Sequence, residues 1–502
     1  MFASILSSTT NGVLGQPIRV EVHTSNGFPG YTVVGMPDVA MKESKERVRA
    51  ALISSNLKWP ETRITINLAP ATIRKTGTSC ELAILVGLLV CSNILDAKRF
   101  ENVGVIGEVG LDGTIRETPG TIARVLALRD YGVEEVFVPT PNAYEASLVT
   151  GIKVFPIDSV IGLIDCLSLG QAWPSIEKPS ISKSSTKENQ KNILDDDYSQ
   201  IIGQPQGCHA MMLLAAGGHH TLLMGSPGVG KTMLAERLPN ILPPLFEDES
   251  HEITAIKSIL DGSVKEIVST RSFRRPHHSA TLAAMVGGGS NTVVAGEATR
   301  AHRGILFLDE LGEFKTNVLD ALRQPLEQGT VNIIRANFQA CLPAQFTLLA
   351  CSNPCPCAKE KEKCICSEAT RARYLKRLSG PLLDRFDIRL ELSKSSYLKK
   401  PTHNNAQMRE KISNGFERQI YRNEKIGITY NAHLTSPMLK VLCPLKANVQ
   451  KLFNEMITTR ELSARGASAI WRLSRTIADI DDEENIEEIH VNSAFNFREE
   501  IL

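Results

Sequence analysis

The stretch Thr221-Leu-Leu-Met-Gly-Ser-Pro-Gly-Val-Gly-Lys-Thr232 decides the fold of the central part of this 502-residue sequence. A short apolar run precedes a glycine-rich loop, and the helical pattern Met233 to Leu238 follows it. This is the spacing G-x-x-x-x-G-K-[ST] in the strand, loop and helix context that the motif requires. Because glycines let backbone N–H groups converge on phosphate oxygens, the sequence predicts a phosphate-binding loop at the start of a helix.

A second motif lies downstream, where Gly304-Ile-Leu-Phe-Leu-Asp309-Glu310 forms an apolar run that ends in two carboxylates. Continuous apolar runs are typical of strands buried on both faces, and such sheets bind ligands at the carboxyl ends of their strands. A strand that merely ends in surface acids would not explain the glycine-rich loop upstream. The two motifs together predict an ATP site with Mg²⁺.

Each residue of the two motifs has a predicted role. Lys231 neutralises the β and γ phosphates and Thr232 ligates Mg²⁺, while Asp309 holds the metal through water and Glu310 acts as general base on the attacking water. The predicted nucleotide-binding positions are Gly225, Ser226, Pro227, Gly228, Val229, Gly230, Lys231, Thr232, Met233 and Asp309, with Thr232 and Asp309 as the Mg²⁺ ligands.

Charge and hydropathy exclude some classes of protein. The 56 basic residues nearly balance the 55 acidic ones, so the net charge of +1 provides no global attraction to nucleic acid or anionic lipid. Any DNA binding must come from local placement of charge. The longest apolar run, Leu82 to Cys91, is shorter than the roughly 20 residues of a membrane-spanning helix, and the N-terminal sequence has no secretory pattern. We therefore expect a cytoplasmic protein without a membrane partner, and a buried helix at the apolar run.

Composition divides the chain. Pro174 to Asp197 is rich in Ser, Lys and Pro, a composition that is typical of a linker between domains. Strand-like and helix-like runs alternate before it, and after Ser393 the chain becomes polar with the helical apolar period, as in Ala447 to Thr459 and Arg465 to Asp479. The predicted limits are an N-terminal domain at 1–172, a linker at 173–197, a nucleotide-binding domain at 198–393 and a helical C-terminal region at 394–502.

Further motifs surround the two of the nucleotide site. They are Arg275-Pro-His-His278, Gly287-Gly-Gly289, Gly296-Glu297, Phe307-Leu-Asp-Glu-Leu311, Leu322-Arg-Gln-Pro-Leu-Glu327, Asn353-Pro-Cys-Pro-Cys357 and Gly380-Pro-Leu-Leu-Asp-Arg-Phe-Asp387. On these motifs the chain, from Ile202 through Arg460, resembles the magnesium-chelatase-like AAA+ ATPases, and most closely the ComM/YifB family. The resemblance implies an α/β fold, with an N-terminal Lon-like α+β domain of the ribosomal-S5-domain-2 type, an AAA+ P-loop domain and a C-terminal helical lid.

The same resemblance implies further site residues. Asn353 matches sensor 1, which orients the attacking water, and Arg385 matches the arginine finger that is supplied to the ATP of a neighbouring subunit. A guanidinium there stabilises charge on the transferred phosphoryl group. A solvated surface arginine is the alternative for Arg385. Arg465 matches sensor 2, but Arg472 and Arg475 on the same helix are rivals.

The resemblance also implies an assembly and a substrate. Residues 275–295 and 329–343 match a helix-2 insert and a pre-sensor-1 hairpin, elements that project into the pore of a ring, and Arg335 is a candidate phosphate contact. A structural hairpin with a solvated arginine is the alternative. The implied protein is a homohexameric motor on single-stranded or branched DNA, with helicase and branch-migration activity in natural transformation. The alternatives are a magnesium-chelatase motor subunit, an ATP-dependent peptidase or protein remodeller, and a non-enzymatic scaffold.

Four cysteines predict a second metal site. Cys355, Cys357, Cys364 and Cys366 lie within twelve positions, and four soft ligands in a reducing compartment favour tetrahedral Zn²⁺ that pins a loop beside Asn353. The C-x-C spacing is tighter than the usual C-x₂₋₄-C. Four unligated thiols are the alternative.

Residues 15–170 resemble the Lon-type peptidase domain. Ser79 matches the nucleophile of that family, but the position of its lysine base is Ile122, which takes no proton. The resemblance therefore implies an inactive domain that serves as a binding platform. Ser79 is alternatively a cap of the helix that follows it.

Overall fold

The computed structural model describes residues 1–72, 75, 77–169, 176, 197–262, 264–289, 294–334, 339–359, 364–377, 380–393 and 403–498. The chain forms two compact units. The first contains Met1–Ser182, Phe246–Ser269 and Asn332–Leu342, and the second contains Lys183–Leu245, Thr270–Val331 and Pro343–Leu502. The segments 246–269 and 332–342, which lie within the predicted domain 198–393, therefore belong to the first unit. The sequence patterns did not indicate this assignment.

The strands and helices alternate along most of the chain. The strands are β1 Phe2–Asn11, β2 Leu14–Ser25, β3 Gly30–Val34, β4 Arg63–Ala69, β5 Val103–Val105, β6 Glu108–Val109, β7 Ile115–Arg116, β8 Glu135–Pro139, β9 Lys153–Ile157, β10 Thr221–Gly225, β11 Phe273–Arg274, β12 Gly287–Gly288, β13 Val294–Ala295, β14 Ile305–Leu308, β15 Thr330–Ile334, β16 Gln339–Pro343, β17 Thr347–Ser352 and β18 Ile388–Leu392. The helices are α1 Val39–Lys42, α2 Ser44–Ser54, α3 Glu81–Cys91, α4 Thr121–Asp130, α5 Thr140–Ser147, α6 Val160–Leu169, α7 Pro205–Gly217, α8 Lys231–Glu236, α9 Glu247–Asp261, α10 Leu282–Val286, α11 Glu297–Arg300, α12 Thr316–Ala321, α13 Arg323–Gln328, α14 Glu368–Arg377, α15 Gly380–Leu383, α16 Asn405–Asn423, α17 Ser436–Leu442, α18 Ala447–Thr459, α19 Ala464–Ile480 and α20 Glu488–Asn496.

The first unit is built on a seven-stranded mixed sheet with the order β3-β4-β2-β1-β5-β8-β9. β2 pairs antiparallel with both β1 and β4, whereas β5, β8 and β9 run parallel. Helix α3 is buried along its whole length, which confirms the prediction of a buried helix at Leu82 to Cys91. Helix α9 packs beside α4 in the same unit, where the Ser258 hydroxyl is hydrogen-bonded to the buried carboxylate of Glu145.

The second unit is built on a five-stranded parallel sheet with the order β11-β14-β17-β10-β18. Along the chain β10 comes first, but in the sheet it lies between β17 and β18. Strand β17 therefore separates β10, which leads into the glycine-rich loop, from β14, which leads to Asp309. Because all five strands run parallel, their carboxyl ends meet at one edge of the sheet.

The C-terminal region is helical, as predicted, and α18 has the predicted bounds. Its helix α19 is anchored by a buried polar network in which Arg472 donates to Asp387 at 2.8 Å and His219 lies 3.1 Å from the same carboxylate. Asp387 is buried, which by itself would raise its pKa, but the positive charges around it hold the pKa of this carboxyl well below its usual range. Among the described residues, no helix is long and apolar enough to cross a membrane.

Candidate nucleotide-binding site

The glycine-rich loop joins β10 to α8 in the predicted arrangement. Gly228 and Gly230 have φ values of 79° and 98°, a left-handed conformation that glycine adopts without strain. The loop thereby turns back and starts α8 at Lys231. The Lys231 amine donates to the carbonyl oxygens of Gly225 at 2.5 Å and Ser226 at 3.1 Å. Burial lowers the pKa of Lys231.

The ends of two strands place polar side chains around Lys231 and Thr232. The Nζ atom of Lys231 is 3.2 Å from Oδ1 of Asn353, which follows β17 directly. The Thr232 hydroxyl donates to Oδ2 of Asp309 at 3.3 Å, and the Glu310 backbone N–H donates to Oδ1 of Asp309 at 3.0 Å. The hydroxyl and carboxylate oxygens of Thr232 and Asp309 are donors of the kind that Mg²⁺ prefers, so this pair fits the predicted metal.

Glu310 has an unusual backbone conformation. Its φ of 54° is left-handed, a region that non-glycine residues rarely adopt and that is often found at functional sites. The side chain is 56% exposed, in contrast to the buried strand β14 that precedes it. The turn therefore directs the carboxylate away from the core and towards the cavity.

A cavity of about 300 Å³ lies at this edge of the sheet. Gly225 and Ser226 lie just behind it as hydrogen-bond acceptors for Lys231, and Val229 packs into the core of the unit. The residues that line the cavity are Pro227, Gly228, Gly230, Lys231, Thr232, Met233, Asp309, Glu310, Cys351, Ser352 and Asn353. The structure thus brings together the predicted residues of all three motifs, together with Cys351 and Ser352 at the end of β17.

Two residues near the carboxylates were not assigned a role from the sequence. Arg275 forms ion pairs with Asp309 at 2.6 Å and with Glu236 at 2.5 Å, and Nδ1 of His278 is 3.5 Å from Glu310. Both follow β11, which runs parallel to β14 and ends at the same edge of the sheet. The segment Arg275-Pro-His-His278 contributed to the family resemblance, but only the strand pairing indicates which carboxylates it contacts.

Arg385 and Arg465 do not line the cavity of their own chain; they lie together elsewhere in the unit. Both guanidinium groups contact the Glu327 carboxylate, Arg465 at 3.1 Å. Their positive charges lower the pKa of Glu327, with the hydrogen bond from Arg465 as the largest cause. Each of the two rivals of Arg465 forms an ion pair with a buried carboxylate: Arg472 with Asp387, and Arg475 with Asp479. Arg465 is therefore the most exposed of the three arginines.

The four clustered cysteines converge. Cys355 Sγ lies 3.3 Å from Cys357 Sγ and 3.5 Å from Cys364 Sγ, and the four sulfur atoms, including that of Cys366, lie within 4.8 Å of one another. Zn–S bonds of about 2.3 Å correspond to S···S edges of about 3.8 Å in a regular tetrahedron. These four thiols therefore fit a Zn²⁺ ion in spite of the tight C-x-C spacing.

The candidate peptidase residues of the first unit, together with Lys75 four positions before Ser79, are buried. Ser79 is only 2% exposed, and Ile122 is buried. The side chain of Lys75 is also buried, and its amine donates to the Pro70 carbonyl. The interpretation of Ser79 as a helix cap is wrong, because α3 is capped at Cys80 without a side-chain hydrogen bond. The candidate phosphate contact Arg335 lies outside the described residues.

The strand order, the glycine-rich loop and the carboxylate pair define a P-loop protein of the AAA+ class. Residues 197–400 match the family described as magnesium chelatase, subunit ChlI, and residues 20–142 match subunit ChlI of Mg-chelatase. Residues 402–498 match the magnesium chelatase subunit ChlI C-terminal family.

Several relatives match nearly the whole chain. The uncharacterized protein YifB of Escherichia coli is 38% identical over 494 residues, which cover 97% of this chain and 95% of YifB. Competence protein ComM of Haemophilus influenzae is 38% identical over 503 residues, which cover 99% of this chain and 97% of ComM. The chain belongs to the ComM/YifB family of magnesium-chelatase-like AAA+ proteins. A Lon protease of Mycolicibacterium smegmatis is 26% identical over 164 residues, 30% of this chain and 21% of that protease, so the likeness to Lon is partial.

Proposed function

We propose that this protein is an ATP-hydrolysing motor that assembles as a homohexameric ring. The observation that carries the proposal is the convergence of Lys231, Thr232, Asp309, Glu310 and Asn353 around one cavity. These residue types are the ones that phosphoryl transfer to water requires, namely a cation for the phosphates, oxygen ligands for Mg²⁺ and a carboxylate base.

The chain's own groups divide the work of hydrolysis. Backbone N–H groups of the loop and the Lys231 ammonium bind the phosphates, while Thr232 and Asp309 hold Mg²⁺, which when bound neutralises charge on the phosphate oxygens. Glu310 takes a proton from the attacking water, and the Asn353 amide orients that water. Arg385 lies away from the chain's own cavity, which supports its action as an arginine finger on the ATP of a neighbouring subunit in the ring. Arg465 stays the proposed sensor 2 residue.

We further propose that the motor is a DNA helicase and branch-migration factor, acting on single-stranded or branched recombination intermediates during natural transformation. The support comes from the relative named competence protein ComM, which aligns over nearly the full length of both chains. A net charge of +1 does not oppose this, because a ring grips DNA through a few contacts in its pore. Pore contacts from residues 275–295 and 329–343, including Arg335, belong to the same proposal.

A magnesium-chelatase motor subunit is the second candidate, because the matched families carry that description. The two candidates share the nucleotide site and differ in what the motor moves. A chelatase subunit would act through a protein partner and would not respond to DNA.

Zn²⁺ at the four cysteines completes the proposal. The ion would be structural, since four protein ligands close its coordination shell and leave no open position for catalysis. Its site begins two residues after Asn353, so the ion would hold the loop that follows the end of β17.

Unwinding of a fluorescently labelled forked DNA tests the proposed function. We expect strand separation with ATP and Mg²⁺, DNA-stimulated ATP turnover, and loss of both in Glu310→Gln. ATP turnover that neither responds to forked DNA nor separates its strands would contradict the helicase proposal and favour the chelatase-type motor.

A further inference from the structure

Tyr374 lies between the cysteine cluster and the candidate hydrolysis site. It belongs to α14, which begins at Glu368, two residues after the last cysteine of the cluster, Cys366. Its side chain is buried at 4% exposure. A buried tyrosine hydroxyl needs a polar partner, so its surroundings indicate what the residue does.

The hydroxyl of Tyr374 meets the ends of two strands of the site. Burial raises its pKa, and the neighbouring Ser352 side chain acts on that pKa in the opposite direction. Ser352 is the last residue of β17 and directly precedes Asn353, whose carbonyl accepts a hydrogen bond from the Ser352 hydroxyl at 3.1 Å. Ser352 therefore lies between Tyr374 and the predicted sensor residue Asn353.

The ring of Tyr374 packs on the other strand end. Helix α14 contacts the turn Leu311–Glu313, which follows Glu310. At Gly312 a methyl group would overlap the Tyr374 ring and hydroxyl, so only glycine permits this close approach. The Glu313 carboxylate, the Cys355 sulfur and the Glu310 carboxylate, in that order, also raise the pKa of this hydroxyl, so it lies within electrostatic reach of the turn and of the cluster.

We propose that Tyr374 is a positioning residue that couples the cysteine cluster to ATP hydrolysis. It keeps the ends of β14 and β17 at a fixed separation, and thereby holds Glu310 and Asn353 in register with each other. The cluster orients α14, because its last cysteine lies at the start of that helix, and its first, Cys355, lies two residues after Asn353. This inference rests on the proposed ATPase function.

The coupling has a simple physical basis. A loop closed by a four-thiol cluster has little freedom at either end, so the start of α14 and the residue after β17 cannot move independently. Without the cluster, α14 can rotate and withdraw the tyrosine from Gly312 and Ser352. The expected consequence is a misplaced base and sensor, which lowers kcat, while the phosphate-binding loop on the other side of the cavity is unaffected.

Tyr374→Phe tests the positioning role, with Tyr421→Phe as the matched control because Tyr421 is 84% exposed. Removing the hydroxyl should lower kcat by roughly two- to tenfold, the range expected for one hydrogen bond, with KM for ATP and bound zinc unchanged. Tyr421→Phe should match the wild type. An unchanged kcat in Tyr374→Phe would overturn the inference, and so would an equal loss in the control.

A double-mutant cycle tests the coupling itself. Cys364→Ser should lower kcat in the wild-type background and should add little in the Tyr374→Phe background, because both changes remove the same restraint. Fully multiplicative losses would overturn the coupling. Full turnover in Glu310→Gln would instead contradict the proposed function, so the two failures are distinguishable.

Discussion

At the scale of single residues, the site depends on polar groups whose partners lie on other strands. Lys231 is held by two loop carbonyls and by Asn353, and Asp309 accepts from Thr232 and pairs with Arg275. A lysine held in this way loses rotamer freedom and approaches the phosphates from a fixed direction. We therefore propose that ATP binding and hydrolysis depend on different side chains, so substitutions should separate the two steps.

The first prediction separates these two steps. Glu310→Gln should still bind ATP, because the phosphate and metal ligands remain, but its turnover should fall by roughly a hundredfold or more, since the base is lost. Lys231→Ala should weaken ATP binding itself. Equilibrium binding of a fluorescent ATP analogue and steady-state hydrolysis measure the two effects. Glu313→Gln, three residues on, is the control and should hydrolyse ATP normally. Near wild-type hydrolysis by Glu310→Gln would refute the assigned role.

The second prediction concerns Ser79. With Ile122 in place of a lysine base and the Lys75 amine hydrogen-bonded to Pro70, the buried hydroxyl stays a weak nucleophile. We expect no peptidase activity with or without ATP, and DNA unwinding that survives Ser79→Ala. A serine-directed fluorophosphonate probe measures nucleophilicity directly. Labelling of the wild type that disappears in Ser79→Ala would restore the ATP-dependent peptidase as a candidate.

At the scale of elements, the edge of the parallel sheet explains why sequence-distant segments meet. β10, β14 and β17 end at the same edge, so the glycine-rich loop, Asp309-Glu310 and Asn353 converge. The neighbouring strand β11 adds Arg275 and His278 by the same geometry. The loop after β17 carries the cysteine cluster, which therefore stands beside the site rather than on a remote surface.

The third prediction concerns this cysteine loop. Purified protein should contain about one zinc ion per chain, and Cys355→Ser with Cys357→Ser should lose it, because two of the four ligands are removed. Elemental analysis measures the metal, and hydrogen exchange around Asn353 should report a loosened loop. Cys341→Ser, an exposed cysteine outside the cluster, should keep its zinc. Freshly prepared, unchelated protein without zinc would refute the site.

At the scale of the whole molecule, the placement of the arginines matters most. Arg385 and Arg465 share the Glu327 carboxylate and do not line the cavity of their own chain. An ATPase whose finger acts on a neighbour is inactive as a monomer, so assembly and turnover should depend on each other. The proposed ring makes this dependence measurable with mixed subunits.

The fourth prediction uses such mixtures. Arg385→Ala and Lys231→Ala should each be inactive alone, but mixing them should restore some hydrolysis at interfaces that join an intact loop to an intact finger. The control is a mixture of Arg385→Ala with a double variant that carries both Lys231→Ala and Arg385→Ala. This mixture should restore no hydrolysis, because it contains no intact finger. Substantial hydrolysis by Arg385→Ala alone would remove the finger assignment.

Local patterns in the sequence predict the candidate nucleotide site, and the main elements around it are present in the structure. The spacing from Gly225 to Thr232, the apolar run before Asp309 and the periodicity of α18 and α19 are short-range features, and each reports the backbone conformation of its own segment. The same patterns missed β1, whose second half, Ser7 to Asn11, is a continuous polar run, and the αL turn at Glu310.

Only the tertiary structure decided which distant groups are partners. It paired Arg472 with the buried Asp387, brought four cysteines with unusual spacing within 4.8 Å, and placed 246–269 and 332–342 in the unit of the N-terminal residues. It also set Tyr374 against Gly312 and Ser352. Such contacts depend on how strands and helices pack, and the periodicity of one segment carries no information about the segment that packs against it.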